Sequence, residues 1–390
     1  MPSIRVLTVG ASLSLSGRFA VQGRQAYQGL TLWADDVNRA GGLTVHPGEP
    51  PLPVHLIIYD DASRRANAAA NTERLISEDG VHLLLGPYSS VLTLAAAEAA
   101  APHDRTIWNH GGSSDAMDAR GWQHVVTLLS SASRYFEPLL EMAAQQDGRP
   151  IRTVALLRGA QGTFPAAVIG GARDHARRLG LGIVFDGMYP EVRHTAPSPQ
   201  PPCEGEGVHS VLVRQLADLA PDLILGAGTT EADIGFAREI RRQGVNAPLI
   251  GLVAAGVQAF REALGADADG ICGPSQWEPT AAAQPDIGPS SAAFARSYRA
   301  RFRAEPDYPA AQAYAAGLIA AHCAQAAGSL DDLAIRQAAF TLDLTTFYGR
   351  FRLAPDTRQQ TGHQVVVVQW HDGQKQVVWP RDAAMVVQVT

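Results

Sequence analysis

Cysteine is scarce in this chain. The 390 residues hold only Cys203, Cys272 and Cys323, an odd number set far apart with no Cys-x-x-Cys spacing. Neither a disulfide framework nor a zinc knot can be built from them alone, and at most one bridge is possible. Charge is sparse too, at 18% Asp, Glu, Lys and Arg, with a net value of −6 and no basic run. A nucleic-acid or anionic-membrane surface therefore has no electrostatic footprint, which leaves small molecules and proteins as partners. No apolar run reaches the ~18 residues of a bilayer-spanning helix. At the N-terminus, Arg5 and the stretch Val6 to Leu15 resemble a secretory signal only faintly, because Gly10, Ser12 and Ser14 dilute the apolar run and no small-x-small cleavage site closes it. The stretch reads as a strand and loop of the mature fold, so the chain is either cytoplasmic or exported by a longer leader since removed.

Catalytic signatures are missing as well. The sequence has no G-x-x-x-x-G-K-S/T phosphate loop, no H-E-x-x-H, no strict G-x-S-x-G elbow and no complete G-x-G-x-x-G after a strand. Gly226 and Gly228 form only a G-x-G, which a tight turn explains. Twelve histidines are scattered with none in ligand spacing, so neither a metal nor a cofactor is expected.

What the chain does have is a globular composition, 46% hydrophobic, and enough length for two or three domains at ~150 residues each. Short apolar, β-branched runs alternate with helical patterns, the signature of parallel sheets covered by helices. The spacing predicts strands over Arg5 to Val9, His55 to Tyr59, His82 to Leu85, Thr106 to Trp108, Thr153 to Leu157, Gly182 to Phe185, Asp222 to Leu225 and Pro248 to Val253. Ala26, Leu30, Trp33 and Val37 make one stripe of a helix stopped by Gly41 and Gly42, and Ser63 sits where the N-cap of the next helix is expected. The grammar restarts after Leu157, so two doubly wound α/β halves are implied. Near the C-terminus, Tyr348 to Leu353, Gln364 to Gln369 and Gln376 to Trp379 read as strands that extend or cross between the sheets. Arg193 to Gly207, with four prolines, reads as a surface loop.

Chemistry collects at strand ends. Gly86, Pro87, Tyr88, Ser89 and Ser90 lie between a strand and an Ala-rich helix, where unpaired N–H groups and a hydroxyl suit a carboxylate. Plain N-capping by Ser89 or Ser90 explains the serines equally well. The next strand ends in Asn109, His110, Gly111, Gly112, Ser113 and Ser114, and in open α/β sheets ligands bind outside the carboxyl ends of strands. Two such loops side by side favour a ligand over capping. Tyr88 and His110 read as wall or hydrogen-bonding neighbours.

Taken in order, Ser14 to Gly17, Leu30 to Gly42, Tyr59 to Asp61, Asn71 to Leu75, Gly86 to Ser90, Gly111 to Ser114, Leu179 and Gly180, Arg241 to Gly244, and Tyr348 to Phe351 with Pro355 and Asp356 closely resemble the type I periplasmic binding proteins of the branched-chain amino acid (Leu/Ile/Val) group, the extracytoplasmic receptors of ABC importers. The resemblance spans nearly the whole chain. It implies two Rossmann-like lobes, residues 1–127 with 253–347 and residues 128–252 with 348–390, joined near Thr127 to Ser131, Ile250 to Val253 and Phe347 to Gly349. It also implies a receptor without enzymatic activity that captures a hydrophobic amino acid or related carboxylic acid between the lobes and closes on it. The implied partners are that small molecule and a membrane permease, with no nucleic acid, and the chain is expected to be a monomer or weak dimer. The alternative is a cytoplasmic or sensory receptor of the same fold that regulates a partner protein.

Residue by residue, the resemblance puts Ser90, Gly111 and Ser113 on the ligand carboxylate. Phe164 takes the aromatic position of the second lobe, and Thr229 a position that is Tyr in the amino-acid binders. Val253 falls where those binders carry the acid that pairs with the ligand ammonium, so a standard α-amino acid is a poor fit. Trp108 and Trp277 are candidates to pack a flat or apolar ligand tail, against ordinary core packing. Glu231 and Asp233 are candidate replacement partners for an ammonium, against the reading of solvated acids in a first helix turn.

Overall fold

The structure is a computed structural model and describes residues 6–145, 150–160, 162–189, 209–280 and 284–380. The expected loop Arg193 to Gly207, and Cys203 with it, lie outside the described residues. Two compact units divide the chain: unit 1 is Met1–Ser131 with Gln276–Gln364, and unit 2 is Ala132–Ser275 with Val365–Thr390.

Unit 1 opens with β1 (Leu7–Leu13), α1 (Ala20–Arg39), β2 (Val54–Asp60), α2 (Arg65–Ser77), β3 (Leu83–Leu85), α3 (Ser90–Ala100), β4 (Ile107–Asn109) and β5 (Val125–Thr127). The five strands form one parallel sheet in the order β2-β1-β3-β4-β5. All their carboxyl ends therefore share one edge, which is what gathers the loops of the site. The predicted stripe on α1 is the buried face: Ala26, Leu30 and Trp33 are in the core and Val37 packs at its margin. The helix stops before Gly41 and Gly42, both at positive φ, where a side chain would be strained. Ser63 does not cap α2. It sits at φ +58, and its Oγ accepts from the Phe19 amide at 2.9 Å and donates to the Ser16 carbonyl at 2.9 Å, so it ties β2's exit loop to β1's.

Unit 2 contains α4 (Glu137–Ala144), β6 (Thr153–Arg158), α5 (Thr163–Arg178), β7 (Gly182–Met188), α6 (Ser210–Leu219), β8 (Leu223–Ala227), α7 (Thr230–Gln243), β9 (Leu249–Leu252), α8 (Gln258–Leu264) and β10 (Cys272–Ser275). The chain then returns to unit 1 for α9 (Ser291–Phe302), α10 (Tyr308–Ala327), α11 (Asp332–Thr341) and the antiparallel pair β11 (Asp343–Thr346) and β12 (Gly349–Arg352). It ends in unit 2 with β13 (Val366–His371) and β14 (Gln374–Trp379). The unit 2 sheet runs β14-β13-β10-β9-β8-β6-β7, parallel except for the two terminal strands.

The eight early predicted strands all exist, shifted by a few residues at their ends. Strands β5, β10 and β11 are not among those assigned from the spacing; β10 carries Gly273 and Pro274, which are unusual inside a strand. Two of the expected lobe boundaries are displaced. The change of unit expected near Val253 comes after Ser275, because β10 pairs with β9 through Cys272 and Gly251 and stays in the unit 2 sheet. The change expected near Phe347 to Gly349 comes after Gln364, because Gly349–Arg352 pairs with Asp343–Thr346 inside unit 1.

Candidate functional site

On unit 1 the loops after β3 and β4 are stitched together. The Ser89 amide donates to the Gly111 carbonyl at 3.0 Å, and the Ser114 amide donates to Ser90 Oγ at 3.0 Å. Gly111 permits this approach, since a Cβ there would sit 2.6 Å from both the Pro87 carbonyl oxygen and Tyr88 Cα. Asn109 braces the second loop from inside. Its Oδ1 accepts from the amides of Gly111 and Gly112 at 3.2 and 2.8 Å, and its Nδ2 donates to the Gly112 carbonyl at 2.7 Å. The Gly111 amide expected to be bare is thus already shared with Asn109.

The capping alternative fails. Ser89 holds the N-cap position of α3 at φ +83 and ψ +143, outside the usual region for a side-chain-bearing residue, and makes no side-chain cap. Its Oγ is buried with no hydrogen-bond partner, and the Ser90 hydroxyl is turned to the neighbouring loop. The leading N–H groups of α3 still lack intrahelical acceptors, so the loop pair offers amides and hydroxyls to a negative group. Ser113 is buried in the same loop.

Four further facts define this edge. Tyr88 shares a 2.7 Å hydrogen bond between hydroxyls with Tyr308, and Phe19 lies edge-on to it at 6.2 Å. His110 is fully buried, its ring nitrogens lack a well-formed hydrogen bond, and burial pushes its pKa down to about 4, so the ring is neutral near pH 7. Asp61, after β2, is also fully buried; it accepts from Ser14 Oγ at 2.6 Å, Ser12 Oγ at 3.3 Å and the Ser63 amide at 2.8 Å. Asp60 beside it accepts from the amides of Leu15, Ser16 and Ala62, so the two aspartates fix the loops after β1 and β2.

The two tryptophans are corrections. Trp108 is 1% exposed in the unit 1 core. Trp277 is 3% exposed, donates to the Phe347 carbonyl at 3.0 Å and stands edge-on to Phe294 and Phe347. Their surfaces are taken by packing, as large apolar rings beside a hydrogen-bond acceptor would dictate.

On unit 2 the three candidates sit at loops after β6, β8 and β9. Phe164 lies in the first turn of α5, partly buried and edge-on to Tyr135 at 5.2 Å. Thr229 is the N-cap of α7, exposed, with Oγ1 accepting from the Ala232 amide at 3.2 Å. Val253 is half-buried against the unit 2 core. The residue that sequence reasoning misjudged is Asp233. Far from being solvated, it is fully buried, accepting from the Gly228 amide through Oδ1 and the Ala254 amide through Oδ2, both at 2.9 Å. Burial pushes its carboxyl up to about 7 against the pull of those donors. The available signal was Gly226 and Gly228, whose missing side chains leave room for Tyr189 and for Asp233 itself.

A hollow of about 200 Å³ in unit 2, bordered by Ala217, Pro221, Gln243 and Val245, lies at the amino ends of β8 and β9 and holds no charged side chain. It is away from these loops. Among the described residues no cluster of three or more His, Cys, Asp or Glu side chains is arranged to hold a metal ion, and no helix is long and apolar enough to cross a membrane. Cys272 and Cys323 are buried and unpaired.

Two parallel-sheet units, each with its loops gathered at the carboxyl edge, match known proteins over almost their full length. The periplasmic binding protein family profile covers residues 6–375. The chain belongs to this family. The Leu/Ile/Val-binding protein homolog 8 of Brucella abortus is 23% identical over 393 residues, spanning 96% of this chain and 91% of that protein. The leucine-binding protein LivK of Thermotoga maritima shares the fold with a TM-score of 0.78 at 17% identity, over 95% of this chain and 97% of its own. A solute-binding protein of an ABC transporter from R. palustris, solved with benzoate, matches with a TM-score of 0.73 at 17% identity, over 96% and 95% of the two chains. The relatives of this periplasmic binding protein are thus receptors named for small solutes, amino acids in some cases and an aromatic acid in another.

Proposed function

We propose that this chain is an extracytoplasmic receptor of an ABC importer, without enzymatic activity, that binds a small carboxylic acid with an apolar or aromatic tail and delivers it to a membrane permease. The observation that carries the reading is the stitched loop pair of unit 1: Ser89, Ser90, Gly111 and Ser113 bring hydroxyls and helix-start amides to one strand edge, the chemistry a carboxylate needs. Family membership and relatives named for leucine, isoleucine and benzoate support the ligand class.

Unit 2 supplies the reason to favour an acid over an α-amino acid. Val253 offers an ammonium nothing, Asp233 has both oxygens taken by main-chain amides, and Glu231 is exposed. A desolvated ammonium without a charged partner costs several kcal/mol, which ~25 cal/mol per Å² of apolar burial would have to offset. Phe164 on unit 2 and Tyr88 on unit 1 are the aromatic candidates that remain once the tryptophans are removed from the site. In this reading the ligand is held first by unit 1, and the unit 2 loops then close over it.

Native mass spectrometry of the purified protein tests the class directly: a co-purified acid of small mass is expected. Scattering profiles with and without that acid should differ by a smaller radius of gyration in the bound form. Superimposable profiles with a ligand that raises Tm would refute closure, and a tightly bound nucleotide or cation would refute the ligand class.

A further inference from the structure

We infer that Asp233 is a positioning residue for the unit 2 half of the site, clamping the turn that carries Thr229 to the turn that carries Val253. The inference rests on the ligand-binding reading above. One carboxylate oxygen holds the amide of Gly228, the residue before Thr229, and the other holds the amide of Ala254, the residue after Val253, each at 2.9 Å. The two turns follow neighbouring strands, β8 and β9, and Asp233 is the side chain that joins their amides in this way.

The surroundings make the clamp stiff. A buried carboxylate is costly unless its oxygens are satisfied, and here two main-chain N–H groups do so. Behind it Tyr189 is fully buried, edge-on to Phe236 at 5.2 Å and to His209 at 5.8 Å. A Cβ on Gly228 would come within 2.8 Å of both Asp233 Oδ1 and the Tyr189 ring. Glu231, exposed on the same helix, and the Tyr189 phenol from beyond β7 are the titratable groups that act on Asp233; burial and Asp233 push that phenol well up, so it stays uncharged. The Asp233 carboxyl takes a proton near pH 7. A protonated oxygen no longer accepts as well, so acid loosens one of the two turns.

The test is amide hydrogen exchange on the full chain at pH 8.5 and 5.5, corrected for intrinsic rates, with calorimetry using benzoate and L-isoleucine as probes. In the wild type the Gly228 and Ala254 amides should be protected at pH 8.5, and at least one should exchange tenfold faster at pH 5.5. In Asp233→Asn at least one should exchange tenfold faster at pH 8.5, the pH difference should vanish, and whichever probe binds the wild type should bind tenfold or more weakly. Equal protection and equal affinity in wild type and Asp233→Asn would overturn the clamp. If the variant does not fold, two wild-type amides equally protected at both pH values overturn it. Should neither probe bind the wild type, that failure counts against the ligand class, and the exchange data still decide the clamp.

Discussion

The two units solve one problem with different chemistry. In unit 1 the loops after β3 and β4 are joined by neutral groups, the Ser90 hydroxyl and the Ser89 amide, with Asn109 bracing one of them from inside, while Asp60 and Asp61 hold the loops after β1 and β2. In unit 2 the equivalent turns are joined by the single carboxylate of Asp233. Neutral stitching leaves hydroxyls and amides for an anion and is indifferent to pH over the physiological range. A carboxylate clamp uses up its own charge on the backbone and titrates. On the proposed reading, the anionic group docks on unit 1, and Val253 and Phe164, half-buried at the unit 2 loops, take the apolar part of the ligand.

The strongest way to break the unit 1 side is Gly111→Val. The added side chain would start 2.6 Å from the Pro87 carbonyl oxygen and Tyr88 Cα, so the loops must part. Overpacking of this kind costs about 1 to 3 kcal/mol, and carboxylate binding should vanish in calorimetry while the unit 2 core stays folded. A milder break is Ser90→Ala with Ser113→Ala. Each hydroxyl removed from an anion should cost roughly 1.5 to 3 kcal/mol, weakening binding tens-fold or more. Ser90→Ala also strands the Ser114 amide, so a Tm loss should accompany it.

Acid separates His110 from Asp233 in sign. His110 is pushed down to about 4 by burial, below its ordinary 6.5, so the stability its neutral ring contributes is present above pH 6.5 and is lost as pH falls toward 4. Asp233 is pushed up to about 7 from an ordinary 3.8. Folding favours its protonated form, so its contribution to global stability is present below pH 3.8 and is lost as pH rises through 7, although the charged form makes the stronger local clamp. Denaturant unfolding of His110→Asn and Asp233→Asn against wild type should therefore give differences that move in opposite directions between pH 7 and 5. The smallest effect belongs to Thr229. Loss of its cap in Thr229→Ala should cost about 1 kcal/mol of stability, restored by Thr229→Ser, with less change in affinity than Ser90→Ala.

The nearness of the loops after β3 and β4 was legible in the sequence, because small hydroxyl residues and glycines at the ends of buried strands suit a close backbone approach. The early strands were legible for the same local reason: each is a short apolar run between glycines or polar turns. What the sequence hid was long-range. Cys272–Ser275, with Gly273 and Pro274, has little local strand signature and is defined by β9 and β13 on either side of it. Trp108 and Trp277 could be ligand walls or core, and only packing assigns them. Asp233 carries the signature of a solvated acid in a first helix turn, and its burial depends on Tyr189 and on an amide that comes from beyond the next strand.

The central claim is that the proposed ligand is recognised through a carboxylate, with no use made of an ammonium. The measurement that tests it is a calorimetric comparison of paired ligands, leucine with 4-methylpentanoate and phenylalanine with 3-phenylpropanoate, on the wild-type protein at pH 8. The account predicts that in at least one pair the acid lacking the amine binds as tightly as its amino acid or more tightly. If leucine and phenylalanine each bind tenfold or more tightly than their desamino partners, an acid is reaching the ammonium and the account is contradicted.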